Sequence, residues 1–216
     1  MTLATQISMP DLQFEDEARA AGHRIIAGVD EVGRGPIAGP VTAAAVILCD
    51  GPLPEGLNDS KKLTARRREY LAQQIMARCV WACVHVSVEE IDRLNIYHAS
   101  HLAMCQAVAQ LPQCPDLVLV DGNAVPRDLG VPGREIVKGD ARSLSIAAAS
   151  IIAKVMRDRL MVDLAQQHPG YGWEKNAGYP TRTHLQALLD MGVTPYHRQS
   201  FRPVHHILCK ASAANT

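Results

Sequence analysis

Ile25-Ile26-Ala27-Gly28-Val29-Asp30-Glu31 reads as an apolar run of strand length delivered onto two adjacent carboxylates. Its apolar part, Ile25–Val29, predicts a buried strand, and Val41–Leu48 and Val80–Val88 predict two more. The last alternates, with Val80, Ala82, Val84, Val86 and Val88 on one face and Trp81, Cys83, His85 and Ser87 on the other. Between the second and third strands, Thr64–Arg78 predicts a helix with Leu71, Ile75 and Met76 on its inner side. Ser87-Val88-Glu89-Glu90 has capping-box spacing and opens a helical stretch to about Leu111, which Asn95 is placed to interrupt. Leu117–Val120 is a continuous apolar run, the mark of a strand buried on both faces, and it ends in Asp121. Glu135–Val137 predicts a short further strand ending at Lys138-Gly139-Asp140. Ser143–Gln167, rich in Ala and Ile, is the strongest helix of the chain and stops at His168-Pro169-Gly170. Residues 171–182 read as a loop, and Thr183–Met191 as a last helix before a basic tail. This order predicts an α/β layer fold with a mixed sheet: a meander of three strands, then strands that need crossovers.

Composition sets outer limits. The 216 residues are 47% hydrophobic and 20% charged, enough for one well-buried core, and only 4% aromatic, so that core rests on Ala, Val, Ile and Leu. One domain is expected over 24–204, with a flexible N-terminal extension at 1–23 and a tail at 205–216. Formal net charge is zero, which argues against a strong overall grip on nucleic acid. The distribution is uneven: 11 Lys and Arg against 16 Asp and Glu in residues 1–133, and 11 against 6 in 134–216. The six cysteines form no C-x-x-C pair and sit near no zinc-like His cluster, which fits free thiols in a reducing cytoplasm. There is no signal-peptide pattern and no apolar stretch approaching the ~18 residues of a membrane helix. A cytoplasmic monomer without a membrane partner is expected.

The chemistry is in the strand ends. Asp30-Glu31, Asp121 and Asp140 each follow an apolar segment. An ionised carboxylate is costly to bury unless it is paired or bound to a cation. Any one of these residues is as well explained by the turn preference of Asp. Three segments that each deliver one point instead to convergence on a site. Oxygen-only ligands suit Mg2+ or Mn2+ rather than zinc, and a carboxylate cluster holding two such ions suits in-line displacement at a phosphodiester.

Gly33-Arg34-Gly35-Pro36-Ile37-Ala38-Gly39-Pro40 follows the first acidic pair directly. Its G-x-G-x-x-x-G spacing is not a dinucleotide fingerprint, and no G-K-[ST] makes it a P-loop. It reads both as a tight hairpin into the second strand and as a turn that brings backbone groups and a cation against a sugar or phosphate.

The run Ala27–Pro36, continuing through Ala38-Gly39-Pro40-Val41, resembles the opening motif of the type 2 ribonucleases H. Asn58–Leu63, Val120-Asp121-Gly122-Asn123, Lys138-Gly139-Asp140, Ser145–Val155 and Gly178-Tyr179-Pro180-Thr181 resemble the family's later blocks, in the same order. His197–Phe201 is similar to its bacterial form, ribonuclease HII. Arg34 and the short stretch before the first strand set the chain apart from the related branch with a Gly-Lys-Gly motif and an extra N-terminal domain. The resemblance spans roughly residues 25 to 204. It implies a ribonuclease H-like mixed five-stranded sheet flanked by helices, with a C-terminal helical extension. It implies Asp30, Glu31, Asp121 and Asp140 as the catalytic, metal-holding four, with two Mg2+ or Mn2+ ions. It further implies that Gly33, Arg34 and Gly35 sense the ribonucleotide 2′-OH, and that Tyr179 stacks on the deoxyribose just 3′ of it. The substrates implied are RNA–DNA hybrids and duplex DNA containing single ribonucleotides, cut to leave 3′-OH and 5′-phosphate ends.

Lys61 is a candidate phosphate contact, as are Lys62, Lys138, Arg142 and Lys154; for Lys154 and Arg66-Arg67-Arg68 a solvated helix face is the simpler reading. The residues alone do not say which of Tyr171, Trp173 and Tyr179 meets substrate. Two other classes fit parts of the pattern. A silent hybrid-binding module would be expected to have lost a carboxylate, and all four are present. A junction resolvase or exonuclease on the same fold would have no use for Gly33-Arg34-Gly35 with Tyr179.

Overall fold

The computed structural model describes residues 9–214. Strands β1 (Ile26–Val32), β2 (Val41–Ile47) and β3 (Val80–Val86) form the expected antiparallel meander, with Val29 opposite Ala45 and Ala44 opposite Cys83. β4 (Leu117–Asp121) lies parallel to β1, and β5 (Gly133–Ile136) parallel to β4. The sheet order is β3-β2-β1-β4-β5, so the strand that carries Asp30-Glu31 is central, and it runs on past them to Val32. β5 starts two residues earlier than its apolar residues suggest, because Gly133 and Arg134 pair with Val118 and Leu119.

Both faces of the sheet are covered. Helix α4 (Ile96–Ala109) covers Ala27, Val29, Ala43, Ala45 and Val120 on one side. Helices α2 (Ala65–Arg78) and α5 (Leu144–Gln167) cover Ala44 and Val46 on the other, with Leu71, Ile75, Ala147, Ala148 and Ile151. Few aromatics and many alanines let helix and sheet backbones come close, since dispersion contacts fall off steeply with any gap. Gly28 is the extreme case: a Cβ there would fall on the backbone of Ser145 and Ile146. The first turn of α5 is thereby pressed against β1, which sets the segment carrying Asp140 beside the end of the central strand.

Local signals set the helix starts. Thr64, Ser87, Ser143 and Thr181 each accept a backbone N–H from the first turn of the helix they precede. The stretch from Ser87 is two helices, α3 (Val88–Leu94) and α4, divided at Asn95. Asn95 has φ 68° and caps α4, its Oδ1 accepting from the N–H groups of Tyr97 (3.0 Å) and His98 (3.2 Å).

Three expectations need correction. Residues 9–23 are not loosely held. Helix α1 (Gln13–Ala20) packs Phe14 and Ala18 on Ile26, Leu117, Leu119, Ile136 and Ile146. Its buried Glu15 accepts on Oε1 from the Ser143 hydroxyl (2.6 Å), the Ser145 hydroxyl (2.6 Å) and the Ser145 N–H (2.9 Å). So acidic a segment resembles a solvated one in sequence, because its carboxylate partners lie some 130 residues away. The rest of the extension, residues 1–8, lies outside the described residues. The tail from 205 is helical too: α8 (Arg202–Ala214) packs Val204, Ile207 and Leu208 on the C-terminal core. Within 171–182, Trp173–Asn176 forms a helical turn, α6, and Tyr171 and Trp173 are buried with Leu188 of helix α7 (Arg182–Met191).

Candidate active site

β1 and β4 run side by side in the same direction, with Val29 level with Val120, so Asp30 and Asp121 leave the sheet as neighbours. Asp140 sits in the short turn Gly139–Ala141 between β5 and α5. Asp121 draws that turn in: its Oδ1 accepts the N–H of Gly139 (2.7 Å) and of Asp140 (3.4 Å). Glu31 points to the opposite side of β1 from Asp30 and is approached by Arg34 Nη1 at 3.3 Å.

The four carboxylates perturb one another. Asp30 is only 5% exposed, and burial followed by the charges of Glu31 and Asp121 holds its pKa well above the ordinary value, against the pull of the Ser150 hydroxyl. Burial also raises Glu31, with Arg34 opposing and Asp121 adding to the shift. Asp121 is raised by burial although the Gly139 and Asp140 N–H groups favour its charge. Asp140 is pushed up to about 6 by burial, then by Asp121 and Asp59. Carboxylates strained in this way gain from a cation. Among the described residues no three His, Cys, Asp or Glu side chains close into a ready-formed ion cage. The donor set is nevertheless all hard oxygen, the kind divalent Mg2+ or Mn2+ takes.

Lys61 faces this group. Burial acts to lower its pKa, but Asp30, Asp140, Asp59 and Asp121 outweigh it and hold the pKa above the usual lysine value. The turn that carries Lys61 (Ser60–Lys62) is fixed by Asp59, which accepts the Lys61 N–H at 2.9 Å, and by the Ser60 and Ser150 hydroxyls 3.0 Å apart. Asp59 and Ser150 were not singled out in the sequence; nothing in the spacing shows that they reach the same place. Arg142 donates to the carbonyl of Val137 (3.3 Å), and Lys154 pairs with Asp158 (2.6 Å), so neither is an idle cation.

The Gly33–Pro40 loop is held from below by two buried arginines. Arg157 of α5 donates to the carbonyls of Pro40 (2.9 Å), Ala38 (3.2 Å) and Ala177 (3.0 Å). Arg198 donates to those of Gly39 (2.9 Å), Arg34 (3.1 Å) and Gly33 (2.6 Å). Burial lowers their pKa values to about 10 and about 9, so both remain cations at neutral pH. The loop is anchored to Tyr179 as well: Ile37 N–H meets the Gly178 carbonyl at 2.9 Å, and a Cβ on Gly35 would lie 3.2 Å from the Tyr179 ring. The ring itself is 45% exposed, whereas Tyr171 and Trp173 are 5% and 1% exposed. His184 fixes the Tyr179 backbone, donating from Nδ1 to its carbonyl (2.9 Å) while its Nε2 accepts from Trp173 Nε1 (3.0 Å). His197, behind it, lies 3.1 Å from the same Nε2 and accepts the Thr194 N–H on Nδ1 (3.0 Å).

This arrangement has relatives. The ribonuclease HII family model matches residues 27–204. A ribonuclease HII of Paracoccus denitrificans is 71% identical over 208 residues, 96% of this chain and 99% of that one. Among solved structures, the ribonuclease H2 of Pyrococcus horikoshii OT3 superposes with a TM-score of 0.74 at 26% identity, over 87% of this chain and 98% of that one. The structure of the PCNA:RNase HII complex of Archaeoglobus fulgidus gives 0.70 at 28% identity, over 83% and 96%. The sheet is therefore the ribonuclease H-like one, the enzyme class is ribonuclease H, and the chain belongs to the ribonuclease HII family.

Proposed function

We propose that the chain is an endonuclease that hydrolyses the RNA strand of RNA–DNA hybrids and cuts 5′ of single ribonucleotides in duplex DNA, leaving 3′-OH and 5′-phosphate ends. One observation carries the reading: four mutually destabilised carboxylates and a lysine adjoin a Gly-Arg-Gly turn that rests on an exposed tyrosine. Asp30, Glu31, Asp121 and Asp140 would hold two Mg2+ or Mn2+ ions, which supply positive charge at the scissile phosphate and acidify water there. Lys61 offers its ammonium to a phosphate oxygen. Gly33, Arg34 and Gly35 present backbone to the ribose, where the 2′-OH separates RNA from DNA. Gly35, lacking a side chain, leaves room for a sugar beside the Tyr179 ring, which stacks on the deoxyribose that follows. The protein acts as a cytoplasmic monomer, its catalytic unit including α1 and α8 as well as residues 24–204.

The test is cleavage of a DNA duplex with one embedded ribonucleotide, mapped to the nucleotide, with and without Mg2+. A single Mg2+-dependent cut 5′ of the ribonucleotide is expected. An uncut duplex, or cuts spread over the DNA, would overturn the reading.

A further inference from the structure

On the Glu31 side of the site, a groove of about 580 Å3 runs between the first turns of α4 and the loop that leaves β4. It opens into a smaller hollow of about 90 Å3 that reaches Glu31, Arg34 and Asp121, and both are walled by Tyr97, His101 and Ala124. None of the residues carried over from the family motifs lines the larger groove. Its rings are unusual for so aromatic-poor a chain. Tyr97 is 43% exposed, with its centroid 4.3 Å from that of His101 and 5.2 Å from that of His98. The floor is apolar, with Leu102 and Val125, and Arg127 stands exposed on the rim. Burial, then Arg34 and His98, lower the pKa of His101, whose imidazole adds to the ring faces of the groove.

We propose that this groove is a substrate subsite in which Tyr97, backed by His101, packs its ring against a sugar of the duplex flank leading away from the scissile phosphate, with Arg127 at the backbone. The proposal rests on the function proposed above and names where its substrate continues. Continuity with the carboxylate site argues for nucleic acid as the occupant: the smaller hollow reaches Glu31 and Asp121 and shares Tyr97, His101 and Ala124 with the groove. Its make-up also fits, since many protein contacts to a duplex are to sugar and phosphate, which a ring and a rim cation can meet without unpairing a base. Tyr97 is held ready for that role from below. Asn95 Oδ1 caps the turn on which it stands, so the ring projects from a fixed backbone rather than from a loose loop.

The experiment compares Tyr97→Ala, Tyr97→Phe and Arg127→Glu with the parent enzyme on a single-ribonucleotide duplex with long flanks, then on duplexes with the 5′ or the 3′ flank cut back to a few base pairs. Tyr97→Ala is expected to raise KM about tenfold, as loss of one ring contact to substrate would, with a much smaller effect on kcat. Tyr97→Phe, which keeps the ring, should recover most of that loss. Arg127→Glu should raise KM and flatten its dependence on salt. Shortening one flank, and not the other, should abolish the difference between Tyr97→Ala and parent. An unchanged KM for Tyr97→Ala on the long duplex overturns the proposal, and so does a loss of equal size on all three substrates. If the parent fails to cut the long duplex, it is the proposed function that falls; if the parent cuts and Tyr97→Ala matches it, the groove alone falls.

Discussion

Asp121 serves two purposes with one side chain. Its Oδ1 organises the Gly139–Asp140 turn, and its charge adds to the repulsion that raises Asp30, Glu31 and Asp140. Asp121→Asn keeps the oxygen and removes the charge. Cleavage should fall by orders of magnitude while duplex binding survives, and the metal-free protein should melt at a higher temperature because a repulsive partner is gone. Cleavage near the parent rate would remove Asp121 from the chemistry. Tyr179→Ala should cost on the order of 1–3 kcal/mol of transition-state binding on a single-ribonucleotide duplex, by analogy with base stacking, and less on a continuous hybrid. The ratio of kcat/KM on the two substrates reads this, and an equal loss on both would make Tyr179 a structural residue. The carboxylates could be read in the sequence because each ends an apolar run. The exposure of Tyr179 could not, since whether Tyr171, Trp173 or Tyr179 faces water is decided by α7 packing over the other two.

Among the elements, the Gly33–Pro40 loop depends most on distant parts of the chain. Five of its carbonyls are taken by guanidiniums from α5 and from the segment before α8. Lysine at 198 carries the charge but not the fork, so Arg198→Lys leaves buried carbonyls unpaired at roughly 1–3 kcal/mol each. It should lower Tm and reduce the preference for ribonucleotide-containing duplex over plain DNA. A lower Tm with that preference unchanged would confine Arg198 to stability. The paired histidines under α7 give a pH signature. His197 titrates near 6.5 when unfolded but is lowered to about 4 in the fold, by burial and then by His184. The unfolded chain therefore binds the extra proton first as pH falls. Stability is fully present above 6.5 and is lost between 6.5 and about 4, with a slope from this group of at most about 1.4 kcal/mol per pH unit. Denaturant unfolding of His197→Asn across that window should show a shallower slope, and an unchanged slope would place the proton elsewhere. Helices α2, α5 and α7 were legible in outline, although α7 starts at Arg182, capped by Thr181, rather than at Thr183. The bracing of the loop was not, because an arginine bound to carbonyls looks in sequence like any surface arginine.

At the scale of the whole molecule, the meander of β1, β2 and β3 was legible in the sequence, as was the need for a crossover to β4, whereas β5 lies parallel to β4 although only a loop joins them. The ends of the chain were less legible. α1 carries too few apolar residues to declare itself, and in α8 the stripe of Val204, Ile207 and Leu208 is interrupted by Arg202, His205 and His206; each is stabilised by a partner formed elsewhere in the fold. Zero net charge also concealed the local picture, in which acidic strand ends lie within reach of Lys61 and Arg34.

Glu15 carries this furthest. Its carboxylate binds both serines at the start of α5, Ser143 and Ser145, and the Asp11 backbone bonds to Arg142 and Leu144 on either side of Ser143. The same residues directly follow Asp140. A chain begun at residue 24 would retain all four carboxylates, Lys61 and Tyr179, yet lose the carboxylate that binds the start of α5, just after the turn that carries Asp140. Loss of these buried hydrogen bonds should cost about 2 kcal/mol or more, a fall in Tm of roughly 4–8 °C for a chain of this size. Activity should then disappear on warming well before the sheet melts, and Glu15→Ala in the full chain should reproduce much of the effect. A shortened chain as thermostable as the full one would refute this. The weak point of the enzyme under proteolysis or heat is thus a latch in α1, fastened to the segment that follows Asp140.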